Sequence, residues 1–254
     1  MNLWQHVKTV WQAVRSSFSL SPHVVYSALV DALYWFFTFF IAILAKNQLV
    51  AEAYKLQSVT LSPAVLADQA AAQQALSVMK WFFVSGALVM VVVLVLEIVV
   101  YSACKGLIWL LLLNKKPSKQ FFVGFFKLTL LWWLLWLVPG IILMFGLKPN
   151  YFAWIGGLGV LAFLHLTSLL HITFANTLSV KKALHSVFDV GILRVHFFIV
   201  PYVFAVGLYW LTVQLFNFLP QDQKFMLVAA IIYVIFYLAW FRTFILNYSK
   251  SHKL

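Results

Sequence analysis

Six stretches of the chain carry apolar residues almost without interruption, and the polar residues gather between them. The stretches are 24–45, 81–104, 121–146, 151–175, 197–219 and 225–247. Each is close to the ~20 residues with which an α-helix crosses a hydrocarbon layer roughly 30 Å thick. The apolar positions run on continuously instead of alternating, which predicts helices and not barrel strands. In lipid every backbone N–H and C=O must find its partner, and a helix supplies one within the segment itself. The pattern therefore predicts an all-α polytopic bundle of six transmembrane helices, read as a single integral membrane domain over residues 1–254.

Between the spans the pattern changes period. Residues 1–23 form an interfacial element: Leu3, Trp4, Val7, Val10, Trp11, Val14 and Phe18 recur at three- and four-residue steps, with His6, Lys8, Gln12 and Arg15 between them. A similar segment precedes span five, where Leu178, Ala183, Leu184, Val187 and Phe188 alternate with Lys181, Lys182, His185 and Asp189. The basic, phenylalanine-rich stretch from Lys115 to Lys127 leads into span three, so the chain reads as three weakly similar units of lead-in plus helical hairpin. The second apolar run continues to Leu113, but Lys105 and Gly106 interrupt it, which puts 106–113 at the interface. Residues 46–80 read as a long external loop, with Ser62 and Pro63 as a helix start and an alanine-rich stretch feeding span two. Leu147–Asn150 and Pro220–Lys224 are the two tight external connections. Pro139 and Gly140 predict a kink in span three, and Gly156, Gly157 and Gly159 predict close helix packing in span four.

Composition agrees with this pattern. Hydrophobic residues make up 64% of the 254 and charged residues 9%, against roughly 45–50% apolar in a soluble domain. Lipid must then solvate much of the exterior. Charge placement supplies an orientation, because cytoplasmic loops are enriched in Lys and Arg. Of the 18 bases, only Lys46, Lys55, Lys80, Lys148 and Lys224 fall on one side of the six spans. The rest put both termini in the cytoplasm of a cell that holds the protein in its cell membrane. The net charge of +12 is spread over span ends instead of forming one patch, which points to anionic phospholipid headgroups and away from nucleic acid. Residues 1–23 lack the order of a cleavable signal peptide, and Cys104, the only cysteine, allows no intrachain disulfide.

Candidate chemistry rests on charges inside spans, since burying one is costly and calls for a partner. Asp31, Glu97, Lys127 and Arg242 lie at similar depths from the cytoplasmic ends of their spans. They predict an intramembrane polar cluster, with Asp31 and Glu97 pairing to Lys127 and Arg242. Its plainer counterpart has the acids pairing structurally while the bases snorkel to the interface. Lys115, Lys116, Lys119, Lys181 and Lys182 are the candidate headgroup contacts. His165 and His171 sit six residues apart, about 120° around a helix at 3.6 residues per turn, which is poor geometry for one metal and predicts hydrogen-bonded structural histidines. No cofactor and no metal is expected. Trp132, Trp133 and Trp136 read as packing or lipid-facing residues, not a ligand cage.

Leu137-Val138-Pro139-Gly140-Ile141-Ile142 and Ser179-Val180-Lys181-Lys182-Ala183-Leu184-His185-Ser186, with Gly191 beyond, resemble two motifs of a group of six-helix prokaryotic membrane proteins. That group is similar to the membrane domain attached to some glycerophosphodiester phosphodiesterases. Lys182 stands where the group usually has an acid. The resemblance implies a membrane module and not a catalyst, since no soluble phosphodiesterase domain is present. The expected function is a non-enzymatic multi-pass protein that organises the bilayer or supports a partner complex, as a homo-oligomer or with another membrane protein. The alternative is a small transporter or channel-like protein that uses the intramembrane charges.

Overall fold

The computed structural model describes residues 3–18, 22–60, 68–146, 149–216 and 223–251, and these are almost entirely helical with no strand among them. In chain order the helices are α1 (Leu3–Ser17), α2 (Pro22–Thr60), α3 (Gln69–Leu112), α4 (Lys119–Gly146), α5 (Pro149–Thr177), α6 (Val180–Ser186), a π-helical turn (Val187–Ile192), α7 (His196–Phe216) and α8 (Gln223–Ser251). Among the described residues six helices, α2 to α5 with α7 and α8, are long and apolar enough to cross a membrane. The chain packs as two compact units, one of Met1–Ala32 with Ser102–Leu254 and one of Leu33–Tyr101.

Leu33–Tyr101 comprises most of α2 and α3. These helices have 39 and 44 residues, or about 58 and 66 Å at ~1.5 Å per residue, well beyond the ~30 Å hydrocarbon layer. The expected loop at 46–80 is thus corrected: α2 continues to Thr60 and α3 begins at Gln69. The stretch is polar enough to leave lipid, but it is built of Ala, Gln, Lys, Glu and Leu, strong helix formers that need no hydrocarbon to stay helical. Asp68 starts α3, its carboxylate accepting from the Ala70 N–H at 3.0 Å as an N-cap does. The expected start at Ser62 and Pro63 lies outside the described residues, as do parts of the two tight external connections.

The other unit holds the core. α1 packs its Val10, Ala13 and Val14 face into it, and α8 is the helix α1 touches most. The buried side chains cluster toward one end of each helix: Ile108, Trp109 and Leu110 late in α3; Phe121, Phe125, Leu128 and Trp132 early in α4; Leu170, Phe174 and Ala175 late in α5; Phe198 early in α7; Phe244, Ile245 and Tyr248 late in α8. The opposite halves present Leu134, Ile142, Leu161, Val206, Leu215 and Leu227 outward. The α3–α4 turn, α6 and the π-helical turn lie at this packed end. There Tyr248 donates to the Phe197 carbonyl at 2.6 Å, tying the end of α8 to the start of α7.

The expected interruption at Lys105 and Gly106 does not occur. α3 runs through Lys105 and Gly106, and Ile108, Trp109 and Leu110 are core. Gly106 is the contact point: a Cβ there would stand 3.3 Å from the Phe121 ring. Of the glycines expected to pack, Gly157 has nothing within 4 Å, whereas a Cβ on Gly124 would lie 2.7 Å from Phe174 and one on Gly191 2.6 Å from Leu166. Pro139 sits inside a continuous α4.

Candidate functional site: an intramembrane ion triad and a basic end

Asp31 projects from α2 into the contact that α2 makes with α8, where Val24 and Ala28 meet Ile235 and Ala239. Its carboxylate is fully buried. Arg242 of α8 donates Nη1 to Oδ1 at 3.1 Å and Nη2 to Oδ2, the forked geometry that suits guanidinium to carboxylate. Lys105 of α3 donates Nζ to the same Oδ1 at 2.6 Å. The two cations keep only 15% and 12% of their side-chain surface exposed. Arg242 also donates Nε to Leu238 O of its own helix at 3.1 Å.

Helix geometry explains why these three meet. Asp31 lies nine residues from the start of α2, Lys105 seven from the end of α3 and Arg242 nine from the end of α8. At ~1.5 Å per residue all three stand about 10–14 Å from the same end of the bundle. A lone buried charge would be very costly, so a carboxylate with two bonded cations is the arrangement that keeps all three ionised groups partnered.

The expected four-residue cluster is therefore revised. Asp31 and Arg242 are together, and Lys105 takes the place given to Lys127. Lys127 is exposed and forms no ion pair among the described residues, because its neighbours Phe125 and Leu128, not Lys127, occupy the inward side of α4. Glu97 belongs to the Leu33–Tyr101 unit, where it accepts a hydrogen bond from Thr38 at 3.2 Å.

The second set of candidates surrounds the turn from α3 to α4. Asn114 adopts the left-handed conformation (φ 52°), while the Asn114 N–H donates to Leu111 O at 3.1 Å and the Lys115 N–H to Leu110 O at 2.9 Å. These paired bonds are a Schellman ending, in which asparagine is the usual substitute for glycine. Ser118 then caps α4, accepting from the Phe121 N–H at 3.2 Å. The turn places the Lys115 side chain against the end of α5, where Nζ donates to Ala175 O at 2.6 Å and to Asn176 Oδ1 at 3.3 Å. Lys115 is thus a C-terminal cap for α5, a role not foreseen for it. Lys116, Lys119, Lys181 and Lys182 are exposed and in no ion pair among the described residues. Ser179 caps α6 through the Lys182 N–H at 3.3 Å, and Ser186 accepts from Thr173 at 3.0 Å.

Other buried polar groups serve packing. His165 Nε2 lies 3.0 Å from Gly191 O and Nδ1 2.7 Å from Tyr202 OH. A carbonyl can only accept, so Nε2 carries the hydrogen, and a neutral ring then receives the Tyr202 hydroxyl at Nδ1. The His171 ring lies 4.7 Å from the Phe125 ring and 6.2 Å, edge-on, from that of Trp109. No group of three His, Cys, Asp or Glu suited to a metal occurs among the described residues. Trp132 is core, donating Nε1 to Thr167 at 2.8 Å.

Fold and charge placement together define an all-α, multi-pass helical membrane protein. No family model, curated protein or solved structure matches the chain.

Proposed function

We propose that the protein is a non-catalytic module of the cell membrane whose basic end lies in the cytoplasm and gathers anionic phospholipid headgroups. The observation that carries this reading is that Lys116, Lys119, Lys181 and Lys182, on the α3–α4 turn, the start of α4 and α6, are exposed and in no ion pair among the described residues. Each cation near an anionic surface contributes roughly 1 kcal/mol. The resemblance of 137–142 and 179–186 to a membrane domain points the same way.

The transporter reading draws on the Asp31 triad. Against a conduit stands the full burial of Asp31, with both carboxylate oxygens already accepting from cations. The triad supports a role in fixing three helices at one depth.

The test is lipid retention by purified protein in neutral detergent, measured by native mass spectrometry with phosphatidylglycerol and phosphatidylcholine offered together. The unaltered protein retains phosphatidylglycerol preferentially. Lys→Gln at positions 116, 119, 181 and 182 together abolishes the preference, and an undiminished preference in that variant refutes the reading.

A further inference from the structure

Only part of the apolar face of α1 is covered by the bundle. At about 100° per residue, its apolar positions form one broad arc whose two halves are centred roughly a quarter-turn apart. One, Val10, Ala13 and Val14, is buried against the bundle. The other, Trp4, Val7, Trp11 and Phe18, is left exposed, with 74% of Trp4 and 61% of Trp11 accessible. Lys8 and Arg15 border that outer stripe on the side away from the bundle, and residues 1–30 contain no acid.

We propose that this outer stripe is a lipid-docking surface, buried in the acyl and headgroup boundary of the leaflet at the packed end of the bundle and selective for anionic lipid. Three observations favour lipid over a protein partner. The stripe runs into the spanning helices, because the Phe18 ring lies 5.3 Å from the Trp240 ring of α8. Tryptophan prefers this boundary in membranes. The bordering charges are all positive, which complements an anionic headgroup layer. The inner stripe, with the Asn247 amide donating to Ser16 Oγ at 3.1 Å, clamps α1 to α8 and so sets the depth of the outer one. This surface is on a different helix from the four lysines above and needs none of them.

The experiment uses the full chain with Cys104→Ser, reconstituted into nanodiscs of mixed phosphatidylcholine and phosphatidylglycerol. A single bimane-labelled cysteine replaces Trp11 or Gln12, neither of which is packed against the bundle. The label at 11 is expected to be shielded from aqueous iodide and quenched by brominated acyl chains, and the label at 12 to behave oppositely. Brominated phosphatidylglycerol should quench position 11 better than brominated phosphatidylcholine. That preference should fall about five-fold for each of Lys8→Gln and Arg15→Gln, the factor equivalent to roughly 1 kcal/mol per cation. Equal iodide access at 11 and 12 overturns the proposal. So does shielding at 11 without quenching by brominated chains, the result expected if a second copy or another protein covers the stripe. An undiminished phosphatidylglycerol preference in the four-lysine variant, with quenching at 11 intact, would sink the functional reading and leave this one standing.

Discussion

Asp31 of α2 and Arg242 of α8, 211 positions apart in the chain, are joined by two hydrogen bonds, and Lys105 of α3 shares the same carboxylate. One anion thus holds two cations, and that asymmetry ranks three substitutions. Asp31→Asn leaves two nearly buried cations with no counter-charge and should cost about 3–5 kcal/mol. Arg242→Gln or Lys105→Gln leaves a one-to-one pair and should cost clearly less. Thermal unfolding of the purified variants measures the order. A milder effect for Asp31→Asn than for either cation variant would refute this account of the triad.

Gly124 faces Phe174, where a Cβ would come within 2.7 Å of the ring end. Phe174 is fully buried and lies 5.6 Å from the Phe121 ring and 5.8 Å from the Phe125 ring, so it has no space into which to retreat. Gly124→Ala should therefore destabilise by about 1–3 kcal/mol, the usual cost of overpacking. Gly157→Ala, at a position with nothing within 4 Å, should be neutral or stabilising, since alanine is the better helix former. Equal unfolding temperatures for the two variants would contradict the packing described.

Lys115 separates stability from lipid binding. Its ammonium caps α5 through Ala175 O and Asn176, so Lys115→Met should lower stability by roughly 1 kcal/mol, typical of a lost charge-assisted hydrogen bond at a helix end. Phosphatidylglycerol retention should be unchanged. The reverse outcome, normal stability with weakened retention, would make Lys115 a headgroup contact after all.

What the sequence made legible follows from which quantities lipid imposes. Span number was readable because hydrocarbon thickness dictates the length of an apolar run, whereas helix ends were not. Residues 46–60 and 69–80 are helical without being apolar, and no hydropathy criterion reports that. Depth was readable for Asp31 and Arg242 by counting residues from a span end. Direction around the helix was not, which is why Lys127 was grouped with them although it points outward. Lys105 is reachable by the same count, at seven residues from the end of α3, but in the sequence it reads as a break in the apolar run. The two faces of α1 were merged because periodicity marks apolar positions without saying whether protein or lipid covers them.

Topology is the claim on which the rest depends, and single-cysteine labelling tests it most directly. In a Cys104→Ser background, Gln73→Cys lies early in α3 and Lys116→Cys in the turn after that helix. A membrane-impermeant maleimide added to intact cells should label position 73 and reach position 116 only after permeabilisation. Labelling of position 116 on intact cells, or of both positions from the same side, would contradict a six-span protein with its basic end inside.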